Sequence, residues 1–504
     1  MYTFAAPLDR AERLNPTGRA LVFEGRERTY AELAARCRRL AGALRDLGLA
    51  KGDRVGMVGP NSDRYFELYL AVPASGCVFV PVNSRLAPSE ITAVLADAGA
   101  RVVFMEGDFP VPEGVERVIR IPDEYEALLA ASEEVELGEG VVEDDLAALF
   151  YTSGTTGLPK GAMHTHRGLI SSGLHLMATW PFDVDTRWMI ASPLFHTGGT
   201  LAIFSTLWHA GQHVLMPSFD ARKAVQLIED EKVTHTLLVP TMLAAATKEQ
   251  LAHPRDVSSL RYLSHGASPI SAETLHRARE AFPDAELMHI YGTTETTPIT
   301  TLLTHEERLL DTHLVGTCGQ PAVGVQVRVV DTMSGSECGP SDVGELMVRS
   351  SSVMQGYWNK PEETANAFLD GWYRTGDLGY RDGASNIFLV DRAKDMIVTG
   401  GENVYSVEVE NALASHPAVD EVAVFGVPDA KWGEAVHAVV VVVQDSVTEE
   451  ELIEHCRRHI AGFKVPKSID LRQAALPKSA AGKILKRDLR EPFWAGQTVQ
   501  VSGS

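Results

Sequence analysis

The alternation of apolar and polar residues over the first hundred positions predicts helices and strands that follow each other in turn. Thr29 and Glu32 have the spacing of a capping box, which marks the start of a helix. Apolar side chains then recur at helical spacing until Gly48, at Leu33, Cys37, Leu40, Leu44 and Leu47. Short apolar runs at 54–58, 78–82 and 102–105 indicate buried strands, and the stretches 64–72 and 89–98 indicate helices between them. This β-α-β-α order favours an α/β fold with largely parallel sheets covered by helices.

The pattern changes twice further along the chain. Residues 110–145 are acidic and rich in Val, Glu and Gly, which predicts a connection into a new unit. Strands are predicted at 146–151, 236–239, 262–264 and 287–291, and turn-rich strands at 326–330 and 344–349 predict a β-barrel-like portion. Beyond Asp391 the order is helix, strand, strand, helix, at 408–414, 422–425, 436–443 and 450–461. We therefore expect a large N-terminal domain with parallel-rich sheets and a smaller α+β C-terminal domain.

Composition and charge exclude several classes of protein. Apolar residues make up 45% of the 504 residues and charged residues 22%, as is typical of soluble globular proteins. The net charge of −21 excludes nucleic acid as a general partner, because such a surface repels phosphate backbones. The five cysteines include no CxxC pair, and no apolar run is long enough to span a membrane. We expect a soluble, cytoplasmic protein without an integral membrane segment.

The segment from Tyr151 to Gly161, Tyr-Thr-Ser-Gly-Thr-Thr-Gly-Leu-Pro-Lys-Gly, has the residue types of a phosphate-binding loop. Its glycines free the backbone to wrap an anion, its hydroxyls can donate to phosphate oxygens, and Lys160 adds positive charge. The Walker A pattern is not met, because Pro159 precedes the lysine and Gly161 follows it. A flexible surface loop is the alternative interpretation. The buried strand before the loop and the Pro-Lys pair at its end favour a phosphate site.

With further motifs, this segment resembles the signature of the adenylate-forming superfamily: acyl- and aryl-CoA synthetases, adenylation domains of peptide synthetases and beetle luciferases. The motifs follow in that family's order from about Thr29 to Arg487. Beyond the loop they are Pro193-Leu-Phe-His196, Gly266-Ala-Ser268, Tyr291-Gly-Thr-Thr-Glu295, Tyr373-Arg-Thr-Gly-Asp377, Asp391-Arg-Ala-Lys394 and Lys478 to Lys483. The resemblance implies an adenylation domain over 1–391, a small mobile C-terminal domain over 395–504 and a hinge at about 392–394.

The resemblance implies that the N-terminal domain binds ATP and Mg²⁺. Thr152 and Glu295 would hold the magnesium, for which a carboxylate is a suitable hard ligand. Lys160 would neutralise phosphate charge, Tyr291 would stack on adenine, and Thr294 would bond a phosphate oxygen. The other residues implied to bind the nucleotide there are Ser153, Gly154, Thr155, Thr156, Gly157, Gly266, Ala267, Ser268 and Gly292.

Ribose and catalytic contacts are implied nearer the C-terminus. Asp377, in a Gly-flanked turn, would accept from both ribose hydroxyls, as acidic residues do in dinucleotide sites. Arg392 resembles the family's second ribose contact, and Lys394 occupies the hinge position. Lys483 resembles the catalytic lysine that reaches the acid carboxylate and the α-phosphate, whereas we expect Lys478 to be a surface residue.

A second set of residues is implied to serve coenzyme A (CoA) as co-substrate. The segment Thr399-Gly-Gly-Glu-Asn403, with Gly401, has the bare backbone that a narrow pantetheine tunnel requires. Trp432, Arg458 and Lys464 are candidates to bind the adenine and phosphates of CoA. For the two cations, solvated surface charges are the alternative interpretation.

The acid pocket is implied around the Pro-Leu-Phe-His motif. Its candidate residues are His196, Thr197, Gly198, Gly199, Ala202 and His265. His196, as the family's divider between ATP and acid, is also a candidate catalytic residue, with a core histidine as the alternative. Amino-acid-activating members carry an Asp here to pair with the substrate ammonium, and this stretch has no acidic residue. Gly198 stands where coumarate-activating relatives usually have tyrosine, which favours a roomier pocket for a hydrophobic acid.

The resemblance therefore implies an AMP-forming acid–CoA ligase of fatty-acid or lipid metabolism, acting on a small hydrophobic carboxylic acid, fatty or aryl. The alternatives are an arylpropenoate–CoA ligase of the coumarate or feruloyl type, transfer to a carrier protein, a luciferase-like oxidative relative, and a non-catalytic nucleotide binder. The pair His164 and His166 resembles a metal chelator, but the family pattern favours a structural role. The sequence leaves open whether two copies form a homodimer.

Overall fold

The computed structural model describes residues 2–152, 159–268, 270–312, 314–429, 431–443, 447–478 and 484–494. Contacts between Cα atoms divide the chain into two compact units, Met1–Val327 with Val348–Tyr373, and Arg328–Met347 with Arg374–Ser504. The predicted boundary at residue 391, with its hinge at 392–394, stays a prediction.

The strands up to residue 321 are β1 (Arg19–Phe23), β2 (Arg26–Thr29), β3 (Arg54–Val58), β4 (Val78–Val82), β5 (Ala100–Met105), β6 (Arg117–Arg120), β7 (Leu146–Thr152), β8 (Lys160–Thr165), β9 (Arg187–Ile190), β10 (Gln212–Leu215), β11 (His235–Leu237), β12 (Tyr262–Gly266), β13 (Glu286–Tyr291), β14 (Thr301–Leu303) and β15 (Gln320–Pro321). The later strands are β16 (Val325–Val330), β17 (Gly344–Ser350), β18 (Phe368–Leu369), β19 (Trp372–Arg381), β20 (Ile387–Arg392), β21 (Ile397–Thr399), β22 (Glu402–Val404), β23 (Val419–Asp429), β24 (Gly433–Val442) and β25 (Ser468–Arg472).

The α-helices are α1 (Ala5–Leu14), α2 (Tyr30–Asp46), α3 (Asp63–Ala74), α4 (Pro88–Ala98), α5 (Asp123–Ala131), α6 (His166–Met177), α7 (Thr197–Thr200), α8 (Ile203–Trp208), α9 (Ala221–Asp230), α10 (Pro240–Ala252), α11 (Ala272–Ala281), α12 (Pro361–Ala367), α13 (Ser406–Ala414), α14 (Glu449–His459) and α15 (Lys486–Trp494). Short 3₁₀ turns lie at Thr294–Thr296 and Glu306–Arg308. None of the described helices is both long and apolar enough to cross a membrane.

Two mostly parallel sheets build the first unit, which confirms the predicted α/β class. One sheet has the order β15-β14-β13-β12-β11-β9-β10-β1-β2, and the other has the order β6-β5-β3-β4-β7-β8. In the first of these, the strands from β13 to β1 pair in parallel, and β14 and β2 are their antiparallel neighbours on the two flanks. Parallel strands buried on both faces need helices on each side, and helices such as α2 and α3 supply that cover.

The capping box at the start of α2 confirms the sequence prediction. Thr29 Oγ1 accepts from the Glu32 backbone N–H at 3.2 Å, and the Glu32 carboxylate accepts from the Thr29 N–H at 2.8 Å. The helical stripe Leu33, Cys37, Leu40 and Leu44 is buried in the main core. The spacing of apolar residues therefore predicted both the start and the buried face of this helix.

The prediction that 110–145 is only a connection was wrong. This stretch contains β6, which extends the six-stranded sheet by parallel pairing with β5, and α5, which packs on α2. A buried polar cluster fixes α5: Glu67 of α3 accepts from Arg36 at 2.6 Å and from the Tyr125 hydroxyl at 2.6 Å. The strand β6 begins and ends with arginine, and three acidic residues stand in the first turn of α5. These charged residues border the short apolar stretches and therefore obscured their pattern in the sequence.

The later strands form two further sheets. The predicted β-barrel-like portion corresponds to the five-stranded sheet β16-β17-β19-β18, with β20 antiparallel to β19. The predicted α+β domain is built on the sheet β22-β21-β24-β23, with β25 parallel to β24. The central strand β24 is apolar on both faces, and its residues Val436, Val439 and Val440 are fully buried.

Candidate functional site

The predicted phosphate loop is flanked by two paired strands of the first unit. Thr152 at the end of β7 is the cross-strand partner of Lys160 at the start of β8. The Thr152 hydroxyl donates to the Lys160 carbonyl at 3.5 Å. Both flanks of the loop are therefore held in one register. The predicted nucleotide contacts Ser153, Gly154, Thr155, Thr156 and Gly157 lie outside the described residues.

Tyr357 links the loop lysine to the candidate magnesium ligand. The Lys160 ammonium lies 5.3 Å from the centroid of the Tyr357 ring, within cation–π distance. The Tyr357 hydroxyl donates to Glu295 Oε1 at 2.8 Å. Burial and the Glu295 charge raise the pKa of Tyr357, so the phenol stays a donor. Lys160 and Glu295, brought together by this ring, are suited to a charged phosphate with its cation.

Sequence reasoning missed Tyr357, although a signal for it exists. The segment before the aromatic pair Tyr357-Trp358 runs beside β8: the Met163 N–H donates to the Gly356 carbonyl at 2.9 Å, and the Trp358 N–H donates to the Gly161 carbonyl at 2.8 Å. Gly356 has a φ of +145°, which favours glycine. A glycine followed by two aromatic residues in a polar stretch could have marked this segment.

Adjacent parallel strands bring the adenine and phosphate candidates together. Gly266 at the end of β12 pairs with Ile290 of β13, and a Cβ on Gly266 would lie 2.0 Å from the Ile290 carbonyl oxygen. Tyr291 ends β13 and is buried, and a Cβ on Gly292 would lie 1.8 Å from the Pro298 carbonyl oxygen. Ala267, the residue after Gly266, has a φ of +69°, a strained value for a residue with a Cβ.

The turn that follows β13 presents the remaining polar groups. Thr294 and Glu295 lie in the 3₁₀ turn, which the Thr296 hydroxyl caps by accepting from the Thr293 N–H at 2.9 Å. Glu295 is 9% exposed. Ser268 is half-buried on the neighbouring loop. The carboxyl ends of parallel strands are the usual place for a ligand in an α/β sheet, and these residues lie there.

The magnesium assignment is compatible with the residues present. The described residues contain no group of three or more His, Cys, Asp or Glu side chains that could hold a metal. Magnesium, however, is usually held by one or two carboxylates together with substrate phosphates and waters. The Glu295 carboxylate and the Thr152 hydroxyl are hard oxygen donors of this kind.

The candidates of the acid loop, defined as residues 192–208, lie at two short helices: Thr197, Gly198 and Gly199 are in α7, and Ala202 is the N-cap of α8. His196 is the N-cap of α7, is half-buried, and its ring centroid lies 4.7 Å from that of Phe195. Thr197 and Ala202 are buried. A Cβ on Gly198 would meet no atom within 4 Å, whereas a Cβ on Gly199 would lie 2.1 Å from the Pro193 carbonyl oxygen. The first glycine therefore borders open space and the second a close backbone contact.

His265 lies in a buried polar cluster. Its side chain is fully buried, its Nε2 pairs with the Glu306 carboxylate, and its ring stacks on His289 with centroids 4.9 Å apart. Burial lowers the pKa of His289 to about 4. The contribution of His265 to an acid pocket stays a prediction.

The histidine pair spans the junction of β8 and α6. His164 and His166 are buried, and the Phe4 N–H donates to His166 Nδ1 at 3.2 Å. Burial lowers the pKa of His164 to about 3 and that of His166 to about 4. His166 thus anchors the N-terminal segment, which agrees with the structural role that the family pattern favoured.

In the second unit, Asp377 and Arg392 are cross-strand partners on β19 and β20. Arg392 Nε lies 3.1 Å from Asp377 Oδ1, and the Asp377 side chain is 8% exposed. The Thr375 hydroxyl accepts from the Asp377 N–H at 3.0 Å, which fixes the backbone beside the carboxylate. Asp377 lies within the strand β19, so the sequence prediction of a turn there was wrong. The two predicted ribose contacts are therefore neighbours. Lys394 follows two residues after β20 ends.

The predicted CoA residues divide into two groups, of which the glycine turn is the first. Gly400 and Gly401, with φ of +61° and +87°, form the two-residue turn between β21 and β22. A Cβ on Gly400 would lie 2.7 Å from the Trp432 ring, and the Gly400 N–H donates to the Trp432 carbonyl at 2.8 Å. Trp432 is 42% exposed, and the Lys431 ammonium lies 4.4 Å from its ring centroid.

The two predicted CoA cations differ in their surroundings. Lys464 is held by both carboxylate oxygens of Glu408 at 2.7 Å. Arg458, at the end of α14, has a side chain that is 71% exposed and lies 3.9 Å from Glu454. Arg458 is the more accessible of the two.

For the predicted lysine-bearing turn, the structure describes the residues up to Lys478 and from Ile484 onward. Lys483 lies outside the described residues. Lys478 forms an ion pair with Glu421, which agrees with a surface role. After the turn, Lys486 starts α15 and donates to the Ser406 hydroxyl at 2.7 Å while pairing with Glu410 at 2.8 Å. Sequence reasoning missed this anchor.

Comparisons with known proteins identify the family of the chain. A family model described as "AMP-binding enzyme" matches residues 8–358, and one described as "AMP-binding enzyme C-terminal domain" matches residues 408–483. A feruloyl-CoA synthase from an Amycolatopsis species is 39% identical over 97% of this chain and 98% of that protein. The fatty acid–[acyl-carrier-protein] ligase ScoC from Streptomyces coeruleorubidus is 37% identical over 97% and 96%. The structure of o-succinylbenzoate CoA synthetase (MenE) from Bacillus subtilis with its acyl-adenylate matches with a TM-score of 0.86 and 30% identity, over 99% of each chain.

Proposed function

Because this chain belongs to the AMP-binding enzyme family and is an AMP-forming acid–CoA ligase, we propose that its acid is hydrophobic, either fatty or aryl. The observation that carries the proposal is the uncharged acid loop. Residues 195–208 contain no acidic side chain, and the space beside Gly198 is open. A buried ammonium without a carboxylate partner is costly, so an amino acid is disfavoured. The feruloyl-CoA synthase relative supports an arylpropenoate as one such acid.

In the first step the acid carboxylate attacks the α-phosphorus of ATP. A new P–O bond forms, the bond to the leaving pyrophosphate breaks, and an acyl-adenylate results. No general base is required, since a carboxylic acid is already ionised near pH 7. Two anions approach each other, so the barrier is largely electrostatic. We assign the neutralisation of this charge to Lys160 and Lys483.

The other polar groups of the first unit would orient the nucleotide. Tyr357 holds the Glu295 carboxylate at 2.8 Å, so that Glu295 and the Thr152 hydroxyl would bind Mg²⁺. When bound, the ion would screen the phosphate oxygens. Tyr291 would stack on adenine and Thr294 would donate to a phosphate oxygen. In the second unit Asp377, beside Arg392, would accept from the ribose hydroxyls.

In the second step the thiol of CoA attacks the acyl carbon, AMP leaves with one former carboxylate oxygen, and the thiol proton passes to solvent. We assign the pantetheine passage to the Gly400-Gly401 turn, because side chains there would strike Trp432 or require a strained φ. The exposed Trp432 ring and Arg458 would contact the nucleotide part of CoA. Rotation of the mobile C-terminal domain at Lys394 would replace the groups used in the first step by those used in the second.

A carrier protein is the second candidate for the thiol. The ScoC relative, named as a ligase to an acyl-carrier protein, favours it. The same acyl-adenylate would form, and only the thiol would differ.

Pyrophosphate release tests the proposal directly. Decanoate, ferulate, benzoate and phenylalanine would each be supplied with ATP and Mg²⁺, with and without CoA, and acyl-CoA would be measured by mass spectrometry. We expect release with decanoate or ferulate, acyl-CoA only when CoA is present, and no reaction with phenylalanine. Preference for phenylalanine would contradict a hydrophobic acid. Pyrophosphate release without any acyl-CoA would favour the carrier protein.

A further inference from the structure

A buried asparagine from another part of the chain holds the backbone of the acid loop. Asn61 follows the end of β3, and it is 3% exposed. Its Nδ2 donates to the Ser192 carbonyl at 3.0 Å, and its Oδ1 accepts from the Leu194 N–H at 2.8 Å. The side-chain amide therefore both donates to and accepts from the backbone of one short segment, as a neighbouring β-strand would.

The bond to Leu194 fixes the orientation of one peptide group. The Leu194 N–H and the Pro193 carbonyl belong to the same planar peptide, so holding one sets the direction of the other. That carbonyl accepts from the His196 N–H at 3.1 Å. It also lies 2.1 Å from the position of a Cβ on Gly199, so α7 packs directly against it. Rotation of this peptide would displace His196 and the start of α7.

We propose that Asn61 is a positioning residue for acid binding, which fixes the Pro193–Leu194 peptide and through it His196 and the Gly198 edge of the acid pocket. The inference rests on the proposed function of the acid loop. Asn61 itself contacts neither acid nor nucleotide in this role. Its loss should therefore affect use of the acid and leave ATP binding intact.

The neighbouring residue supplies a matched control. Ser62 is also buried, and its hydroxyl accepts from the Tyr65 N–H at 3.2 Å as the N-cap of α3. Replacement of Ser62 by Ala removes a buried hydrogen bond from the same turn without touching Ser192 or Leu194. A general loss of stability would appear in both variants, and a positioning effect only at Asn61.

The first measurement is acid-dependent pyrophosphate release with decanoate and ferulate. We expect N61A to lower kcat/KM for the acid by about 10–100-fold, since small misplacements of a reacting group have effects of this size. The KM for ATP should stay within about twofold, and S62A should leave both acid and ATP constants near wild type. Equal effects on acid and ATP, or equal effects of N61A and S62A, would overturn the proposal.

A double-mutant cycle separates positioning from a merely structural role. In the wild-type background, G199A would press its Cβ against the fixed Pro193 carbonyl and should strongly lower kcat/KM for the acid. In the N61A background that carbonyl is free to move, so G199A should cost much less, as expected for coupled neighbours. Additive effects would contradict the role assigned to Asn61.

Two further outcomes are decisive. If N61A is poorly folded, N61S takes its place in the measurement. Its shorter side chain cannot span both backbone groups, so N61S should show the same loss of kcat/KM for the acid. Loss of fold in both variants, seen by circular dichroism, would show that Asn61 is structural and overturn the proposal. If the wild-type protein releases no pyrophosphate with any acid, the proposed function itself is wrong. If the wild type is active and N61A has the same kcat/KM for the acid, only the positioning role of Asn61 is wrong.

Discussion

At the scale of single residues, two adjacent glycines of the acid loop have opposite surroundings. Gly198 borders open space, whereas Gly199 packs against the Pro193 carbonyl. The sequence placed both in the acid pocket and singled out Gly198 as the roomier position, but it did not show the close contact of Gly199 with the Pro193 backbone. A side chain is therefore tolerated at one position and excluded at the next.

Filling the space beside Gly198 should change acid selection. We expect G198Y to shrink the pocket and to penalise long or bulky acids relative to short ones by about 1–3 kcal/mol in kcat/KM. G198A, which adds one methyl group to the same open space, should change the ranking little. The measurement is kcat/KM over a series of acids of increasing length. An unchanged ranking in G198Y would show that Gly198 does not line the pocket.

The carboxylate of Asp377 should serve ATP rather than the fold. In D377A the Arg392 side chain, which is 48% exposed, can be solvated by water, so we expect little change in thermal unfolding. Because the carboxylate for the ribose hydroxyls is lost, we expect a raised KM for ATP. Asp382 in the turn between β19 and β20 is the control, because it accepts from the Asn386 N–H at 2.8 Å. D382A should cost stability without raising the KM for ATP. A collapse of stability in D377A with intact ATP affinity would make Asp377 structural.

At the scale of elements, periodic segments were predictable and tertiary contacts were not. The buried strands β3 and β4 and the helix α2 follow directly from apolar spacing and a capping box. The strand β6 was missed because a four-residue edge strand with an arginine at each end shows no alternation. Tyr357 was missed because its importance arises only where its segment pairs with β8. The pairing itself cannot be seen in the sequence, where the local signal for this segment is Gly356 followed by two aromatic residues.

The segment between β25 and α15 contains the predicted catalytic lysine, with Lys478 as a matched control. K483A should slow acid-dependent pyrophosphate exchange by about 10²–10³-fold, because one stabilising contact to the reacting phosphate is lost. The same variant, given preformed acyl-adenylate and CoA, should form thioester at a near-normal rate. K478A loses only an ion pair with Glu421 and should change neither step much. Equal loss of both half-reactions in K483A would contradict the assigned role.

At the scale of the whole molecule, the site is assembled from segments far apart in sequence. The motif order predicts which residues take part, and parallel strand ends explain how Gly266, Tyr291 and Glu295 come together. The anchors Asn61, Tyr357 and Lys486 were missed, since each acts through hydrogen bonds to distant backbone or side chains. The ligand contacts that the motifs indicate stay predictions, whereas the residues that hold those motifs in place became visible only in the structure.

Buried neutral histidines should make the whole fold sensitive to acid. Burial lowers the pKa of His164 to about 3, and lowers the pKa values of His166, His213, His235 and His289 to about 4. In the unfolded chain each would titrate near ~6.5. Between about pH 6.5 and 4 the unfolded state therefore binds more protons, and the free energy of unfolding falls as pH falls. This stability is fully present above about pH 6.5.

Thermal unfolding at about pH 7.5 and about pH 5.5, on either side of the ordinary histidine pKa, measures this effect. We expect a lower midpoint at the acidic pH, and a smaller difference between the two pH values in H166Q, which removes one buried imidazole. H253Q, at a histidine whose side chain is 72% exposed, should keep the wild-type difference. Identical pH differences in wild type and H166Q would contradict the contribution of the buried ring.

In the proposed reaction, the acid is activated when one of its own oxygens forms a bond to the α-phosphorus of ATP. The most direct test uses decanoate or ferulate, whichever is turned over, with both carboxylate oxygens replaced by ¹⁸O. With ATP, Mg²⁺ and CoA, we expect AMP that carries one ¹⁸O, an acyl-CoA that carries the other, and unlabelled pyrophosphate. Unlabelled AMP, or ¹⁸O in inorganic phosphate or pyrophosphate, would contradict it.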